Sequence, residues 1–301
     1  MKLDRKPRVL MCPPDHFSVA YSINPWMDPA SWASEEQALA AESRREWEGL
    51  HRVLQERGAA IELITPALGL PDLVFTANGA VVLDGVALLA HFRHAERQGE
   101  EIHFERAFQS LIAAGLVKEM RRLPEGIVLE GAGDCVWDQT RLVFWMGYGQ
   151  RSDAAAGHAV EAIFGVEVVR LQLADARFYH MDTALCPLPG GEVMYFPGAF
   201  TPAGLAEIHA RVEPDLRIEV TAEDAGQLAV NTVALGDALV LSACSEAMQH
   251  RLNQRGYRVC KTPLNAFQRS GGSAFCLTLR LDNTSGAVAS KRPPRQQELI
   301  A

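Results

Sequence analysis

The sequence predicts an α/β fold built from repeated modules. Four segments share one design: AVVLDGVALLAHF after Asn78 and Gly79, CVWDQTRLVFWMG after Gly133 and Asp134, TALCPLPGGEVMYF after Asp182, and TVALGDALVLSAC after Asn231. Each reads as an apolar strand, a turn signal such as DG, GG or GD, and a second apolar strand. The leading Asn and Asp residues are spaced by 56, 48 and 49 positions, and Cys276 follows the last by 45. A period of about fifty residues indicates an array whose neighbouring modules bury one another's faces. Helical patterns fill the gaps between hairpins, which points to an α/β array and not to an all-β propeller.

Taken in order, the chain opens on a basic stretch, MKLDRKPRVLMCPPDHF, whose apolar run is too short for a signal peptide. Ser34 begins S-E-E-Q, a capping-box arrangement with Gln37. Leu39, Trp47, Leu50 and Leu54 then share a helical face, and Gly58 is a plausible stop. Residues 101–114, 152–164, 203–211 and 245–255 are further helix candidates. No Pro/Gly linker divides the chain, so one domain is expected over 1–283. The polar, apolar-poor residues 284–301 are expected to form a flexible tail.

Composition narrows the function. The chain has 301 residues, 48% of them hydrophobic and 22% charged, and a net charge of −8. That balance fits a globular protein and supplies no basic stripe for nucleic acid. No apolar run reaches the length of a membrane span. The six cysteines show neither close-spaced metal pairs nor a dense disulfide framework, so a reduced, cytoplasmic protein is expected.

Several short motifs carry possible chemistry. In GGSAFCLT, Cys276 reads either as a small core residue or as a nucleophile. If equivalent strands start at one end of a closed array, Asn78, Asp134, Asp182, Asn231 and Cys276 converge near one axis. That ring suits a small cation, although each Asn or Asp could simply cap its turn. On an extended segment, H-M-D places His180 and Asp182 on the same side. A histidine, a same-face carboxylate and a thiol fit a Cys–His site; a metal site is the lesser reading, for want of a second close-spaced ligand pair. In E-G-A-G-D, Gly131 and Gly133 allow close backbone approach between Glu130 and Asp134, and a carboxylate there could orient His180 and raise its pKa. Asp72 and Phe75 stand ahead of Asn78 in PDLVFTANG, and Phe75 alone would usually be core.

PDLVFTANGA, LEGAGD, GYGQRSD, FYHMD and GGSAFCLT, in this order, resemble the guanidino-group-modifying enzymes of the pentein superfamily, from about residue 8 to 282. That superfamily includes arginine deiminase, dimethylargininase and the amidinotransferases. The resemblance implies a five-bladed β/α propeller with pseudo-fivefold symmetry. It also implies Cys276 as nucleophile, His180 as general acid and base, Glu130 as partner of His180, and Asp182 as a guanidinium ligand. Arg151 would pair with the substrate α-carboxylate, with Arg97 a second contact, and Asp134 and Phe75 would belong to the substrate-binding set. Relatives that cleave once have aspartate where this chain has Asn78. FTAN together with MCPPDHFSVAYSINPWMDP resembles the arginine dihydrolases, and implies that Asn24 helps to line the pocket. The expected activity is hydrolysis of arginine to ornithine, ammonia and carbon dioxide through a cysteine thiouronium intermediate. The alternative is dimethylargininase, or a deiminase giving citrulline. The expected partner is a small guanidino molecule, arginine or a methylated arginine, with no metal or organic cofactor, no nucleic acid and no membrane; homo-oligomerisation stays open.

Overall fold

A computed structural model describes residues 6–286. The chain starts with β1 (Arg8–Met11), which pairs in parallel with β2 (Ala60–Leu63). Four modules of one plan follow. In the first, β3 (Ala80–Leu83) and β4 (Val86–Leu89) form a hairpin, and β5 (Glu119–Arg121) returns parallel to β4. The same order recurs for β6 (Cys135–Asp138), β7 (Val143–Tyr148) and β8 (Glu167–Gln172). It recurs again for β9 (Leu185–Pro187), β10 (Val193–Tyr195) and β11 (Arg217–Glu219). The fourth module holds β12 (Val233–Leu235), β13 (Ala238–Leu241) and β14 (Arg258–Lys261). Finally β15 (Leu279–Arg280) lies antiparallel to β1, so the two ends of the chain build the fifth module together. Among the described residues this makes five three-stranded sheets in a pseudo-fivefold arrangement, as the spacing and the resemblance predict.

Each crossover from hairpin to third strand is helical, because a parallel return needs a long connection. The helices Glu101–Ala113, Ala156–Phe164, Pro202–Arg211 and Glu246–Gln254 fall within or close to the predicted spans. The longest, Glu36–Glu56, buries Leu39, Trp47, Leu50 and Leu54 as expected. The predicted capping box does not form. Ser34 ends a preceding helix, Pro29–Ser34, whose N-cap Asp28 accepts from Ser31 N. Pro29 starts that helix early because its missing N–H costs nothing there. Glu46, on the long helix, accepts from the Asn265 and Ala266 amides at 2.8 and 2.9 Å, tying the helix to the loop before Cys276.

A short helical turn precedes the hairpins: Thr76–Gly79, Gly131–Asp134 and Met181–Ala184. Turns at Asn231 and Cys276 complete the set. The segment after His180 is therefore helical and not extended, so its two-residue spacing is not what aims His180 and Asp182. The array itself brings them inward. Asn283, Ser285 and Asp84 are hydrogen-bonded to one another's chain segments, with Asp84 N donating to Asn283 O at 2.9 Å and Ser285 N to Asp84 Oδ1 at 3.0 Å. The rest of the expected tail, from residue 287, lies outside the described residues.

Closure by the chain ends gives a direct test. Leu279 is buried under β1, so Leu279→Ala should cost about 2–5 kcal/mol of stability in urea denaturation. An unchanged midpoint would mean that β15 does not hold the array closed.

Candidate active site

Five polar turns meet on the axis, and their side chains join in two contiguous groups. In the first, Cys276 Sγ lies 3.1 Å from Asp182 Oδ2 and accepts from Asn231 Nδ2 at 3.1 Å. Asn231 also donates to Asp182 O at 3.2 Å, while its Oδ1 accepts from Cys276 N at 3.1 Å. One asparagine thus fixes both the backbone and the sulfur of the cysteine. In the second group, His180 Nε2 donates to Glu130 Oε2 at 2.8 Å. Arg151 donates to the same oxygen at 2.9 Å, and Arg93 N donates to Glu130 Oε1 at 3.2 Å. Asn78 completes this group, with Nδ2 at 3.4 Å from His180 Nδ1. No hydrogen bond joins the Cys276 thiol to His180.

Glycine makes the convergence possible. A Cβ on Gly133 would lie 2.1 Å from Asn78 Nδ2, and one on Gly131 would lie 2.6 Å from the Ala77 and Asn78 backbone. Gly131 also needs φ of 61°, in the left-handed region. The glycines before the cysteine have another role. Cβ atoms on Gly271 and Gly272 would strike the Trp26 and Tyr179 side chains and the Phe75 ring, so these positions admit packed aromatics.

Burial governs the electrostatics. Cys276, His180, Glu130 and Asp182 are each 2% exposed or less. Burial, reinforced by Asp182, pushes the Cys276 thiol well above its ordinary value. Burial pulls His180 down to about 4, although Glu130 pulls the other way; the rise expected from that carboxylate is outweighed. For Glu130 burial acts upward, but Arg151 and the His180 hydrogen bond prevail and hold it well below the usual carboxylate range. Asp182 is pushed up to about 7 by burial. The resting site is therefore a neutral thiol beside a neutral imidazole, with Glu130 ionised.

Among the described residues two buried carboxylate oxygens, Asp182 Oδ1 and Asp72 Oδ1, are left without partners, as are the hydroxyls of Ser270 and Ser273. A buried carboxylate oxygen without a donor is costly, and both can accept from a cation. Asp72 stands in the PDLVFTANG motif, but sequence reasoning gave it no role in the site. Its other oxygen accepts from Tyr21 at 2.9 Å, a partner 51 residues away that no local pattern links to it. Glu100, bound to nearby Arg97, and Ser152, next to Arg151, were given no role either.

The remaining candidates hold definite partners. Asp134 is turned away to Ser152 Oγ at 2.6 Å and Met181 N at 3.1 Å. Arg97 is clamped by both oxygens of Glu100 at 2.8 Å and donates to Asn78 Oδ1 at 2.9 Å. Arg151 also donates to Ile23 O at 3.2 Å and stacks over Tyr179. Asn24 uses its amide on Ser270 O and Trp26 N, and Phe75 packs edge-on against Phe17 and Phe267. The loop carrying Tyr21, Ile23, Asn24 and Trp26 thus spans the site. Its bonds reach Asp72, Arg151, Ser270 and Arg177. Among the described residues no group of three His, Cys, Asp or Glu is placed to hold a metal ion. No helix among them is long and apolar enough to cross a membrane. A groove of about 470 Å³ beside His91, Ile102 and Arg122 lies apart from the cluster.

The chain is similar to known proteins. A family model described as N,N dimethylarginine dimethylhydrolase, eukaryotic, matches residues 14–282. The bifunctional arginine dihydrolase/ornithine cyclodeaminase AgrE of Nostoc sp. is 40% identical over 91% of the chain. The chain spans 38% of that relative's length. The N(G),N(G)-dimethylarginine dimethylaminohydrolase of Mycobacterium tuberculosis is 36% identical over 92% of this chain and 86% of its own. Among solved structures, the N-terminal domain of ArgZ, a cyanobacterial arginine dihydrolase, was crystallised as a cysteine-to-serine mutant bound to substrate. It matches with a TM-score of 0.86 and 38% identity, over 93% of this chain and all of that one. The chain belongs to the N,N-dimethylarginine dimethylaminohydrolase family of the pentein superfamily.

Proposed function

We propose that this protein hydrolyses the guanidino group of arginine through a covalent Cys276 adduct, and does so twice. Arginine and two waters would yield ornithine, two ammonia and carbon dioxide. The observation that carries the reading is the Asp182–Cys276 contact: a carboxylate 3.1 Å from a thiol, with its second oxygen buried and unpartnered. That oxygen is an acceptor awaiting an N–H donor, and a guanidinium is planar and rich in such donors. The relatives named for arginine dihydrolase activity support the same substrate.

The chemistry follows from the charges. With no cation present, burial keeps the Cys276 thiol protonated. A guanidinium held by Asp182 brings positive charge to the sulfur and stabilises the thiolate as it forms. The sulfur attacks the guanidinium carbon, and the thiol proton passes to His180. His180 delivers that proton to the departing ammonia, which leaves a thiouronium on Cys276. Neutral His180 then takes a proton from water as hydroxide adds to the thiouronium carbon. Loss of the thiolate at this point gives citrulline, and a second round on the ureido group gives ornithine with carbamate, which decomposes to carbon dioxide and ammonia. Glu130, ionised by Arg151, steadies the imidazolium in each round. Arg151 and Asp72 are suited to the α-carboxylate and α-ammonium of the amino acid. Because the cluster is closed over, the Tyr21–Trp26 loop must move aside for arginine to reach it.

The favoured product rests on Asn78. Arg97 occupies its carbonyl oxygen. Its NH2 lies inward instead, as a donor suited to a neutral ureido oxygen. The second reading is dimethylargininase. The family match and the Mycobacterium tuberculosis relative, which this chain covers over most of its length, favour it.

Product analysis separates these readings: arginine should give ornithine with two equivalents of ammonia, whereas citrulline as the sole product contradicts double hydrolysis. Cys276→Ser should lower turnover by roughly three orders of magnitude or more. Asn78→Asp should shift products toward citrulline, and an unchanged ratio would remove the argument from this side chain. Asp182 supplies a pH test. Its folded pKa, near 7, is above its ordinary value, so its cost in the ligand-free protein grows as pH rises through that window. A bound cation relieves that cost. In Cys276→Ala, thermal stabilisation by saturating arginine should therefore increase from about pH 6 to about pH 8; a decrease would contradict the pairing.

A further inference from the structure

We infer that Asn231 is a catalytic residue whose side-chain amide stabilises the Cys276 sulfur as a thiolate, both when it attacks and when it is expelled. This rests on the reading of Cys276 as the nucleophile. An asparagine that leads a hairpin commonly caps its own turn. Asn231 does something else. Its turn is closed by the backbone, with Asn231 N donating to Leu228 O at 3.0 Å. Its side-chain bonds run to other modules instead. They reach Asp182 O, 49 residues away, and Cys276 N and Sγ, 45 residues away.

The partners fix the orientation of the amide. Cys276 N can only donate, so the atom 3.1 Å from it is the Asn231 oxygen. Asp182 O can only accept, which assigns the atom 3.2 Å away as the nitrogen. The same NH2 lies 3.1 Å from Cys276 Sγ, and its two hydrogens can serve both acceptors. Turning the amide over would set NH2 against N–H and oxygen against oxygen. The sulfur is therefore offered a donor that cannot rotate away. Asn231 is fully buried, so bulk water does not compete for that donor.

A fixed donor favours the ionised form of the group it faces. Burial and the charge of Asp182 push the Cys276 thiol up, while the Ser273 backbone and the Asn231 amide pull it down. Of the two groups that lower it, only Asn231 acts through its side chain. The titratable groups facing the sulfur are Asp182, which accepts from the thiol at 3.1 Å, and Tyr179, whose hydroxyl donates to Ser270 O. When a guanidinium takes Asp182, the thiol proton passes to His180 and the sulfur keeps the Asn231 N–H as its partner. A bond to a charged acceptor is the stronger kind. The sulfur loses its charge as the S–C bond forms. After water has added to the thiouronium, the S–C bond breaks, its electron pair returns to sulfur, and the same N–H meets the departing thiolate. Double hydrolysis makes and breaks that bond twice for each arginine, so it calls on this donor at four steps.

Two variants separate a donor from an anchor. Asn231→Asp keeps an oxygen for Cys276 N but offers no hydrogen to the sulfur, and Asn231→Ala keeps neither. Both retain a backbone tie, Phe275 N donating to the residue 231 carbonyl at 3.4 Å. Turnover of arginine should fall roughly ten- to a hundredfold in each, with KM held within about threefold. Without substrate, alkylation of the Cys276 peptide by iodoacetamide at about pH 8, followed by mass spectrometry, should slow by a similar factor, because its rate follows the thiolate fraction. The alanine variant shows that the slowing does not come from an added charge. Turnover and alkylation restored to unmodified levels by Asn231→Asp would make Asn231 an anchor for the chain and overturn the inference. Should neither variant fold, the unmodified protein with 15N-labelled asparagine decides. One side-chain NH2 should shift as the pH is raised from about 8 to about 10.5, and the shift should vanish in Cys276→Ala; no such resonance overturns the inference. Failure of the nucleophile reading looks different: Cys276→Ser would turn over arginine normally, while alkylation and the resonance still report on the bond between Asn231 and the sulfur.

Discussion

The organisation of the site depends on a buried carboxylate with an unfilled oxygen. Asp182 stands beside Cys276 with Oδ1 unpartnered, in a place where burial outweighs the hydrogen bonds around it and raises its pKa to about 7. A protein gains nothing in stability from such a group, since a lone buried acceptor costs on the order of 1–3 kcal/mol. The cost makes sense if a cation completes it. Thiol and carboxylate then share one requirement, because the positive charge that partners Asp182 also lowers the barrier to ionising Cys276. His180 is the complement. Burial makes it neutral, and Glu130, itself held by Arg151, orients it.

The five-module array is what allows so many polar groups to share one dry space. Each module leads into its hairpin by a polar turn, and pseudo-fivefold packing aims all five turns at one axis. Rigid hydrophobic sheets behind them hold the geometry. Trp145, Tyr195 and Phe104, in separate modules, are essentially fully buried. The chain ends close the ring through β1 and β15, and Cys276 lies just before that closing strand. Catalytic geometry and ring closure are therefore linked in sequence.

Much of this was legible in the residues. Hairpins repeat because apolar alternation and turn dipeptides are local signals, and the polar residue ahead of each fixed the register of the repeat. Glu130, His180, Asp182 and Cys276, which the structure gathers in two hydrogen-bonded groups, all stand in short motifs. Local reading failed where the determinant was distant. The S-E-E-Q box lost to Asp28 and Pro29, which start a helix one turn earlier. H-M-D was read as a strand because a single helical turn has no periodicity to detect. Asp72 was given no role because its partner Tyr21 sits in another module; Glu100, close to Arg97, and Ser152, next to Arg151, were given none although their partners lie in their own modules. The direction of the His180 shift also needed the fold, since Glu130 is visible in sequence but the depth of burial is not.

The account stands or falls on a covalent bond at one sulfur. Acid-quenched enzyme, sampled during turnover of arginine and analysed by peptide mass spectrometry, tests it most directly. The account predicts an adduct with the mass of arginine less ammonia, confined to the peptide that contains Cys276. Turnover with no adduct on that peptide, under conditions where the intermediate accumulates, or an adduct on a different cysteine such as Cys12, would contradict it.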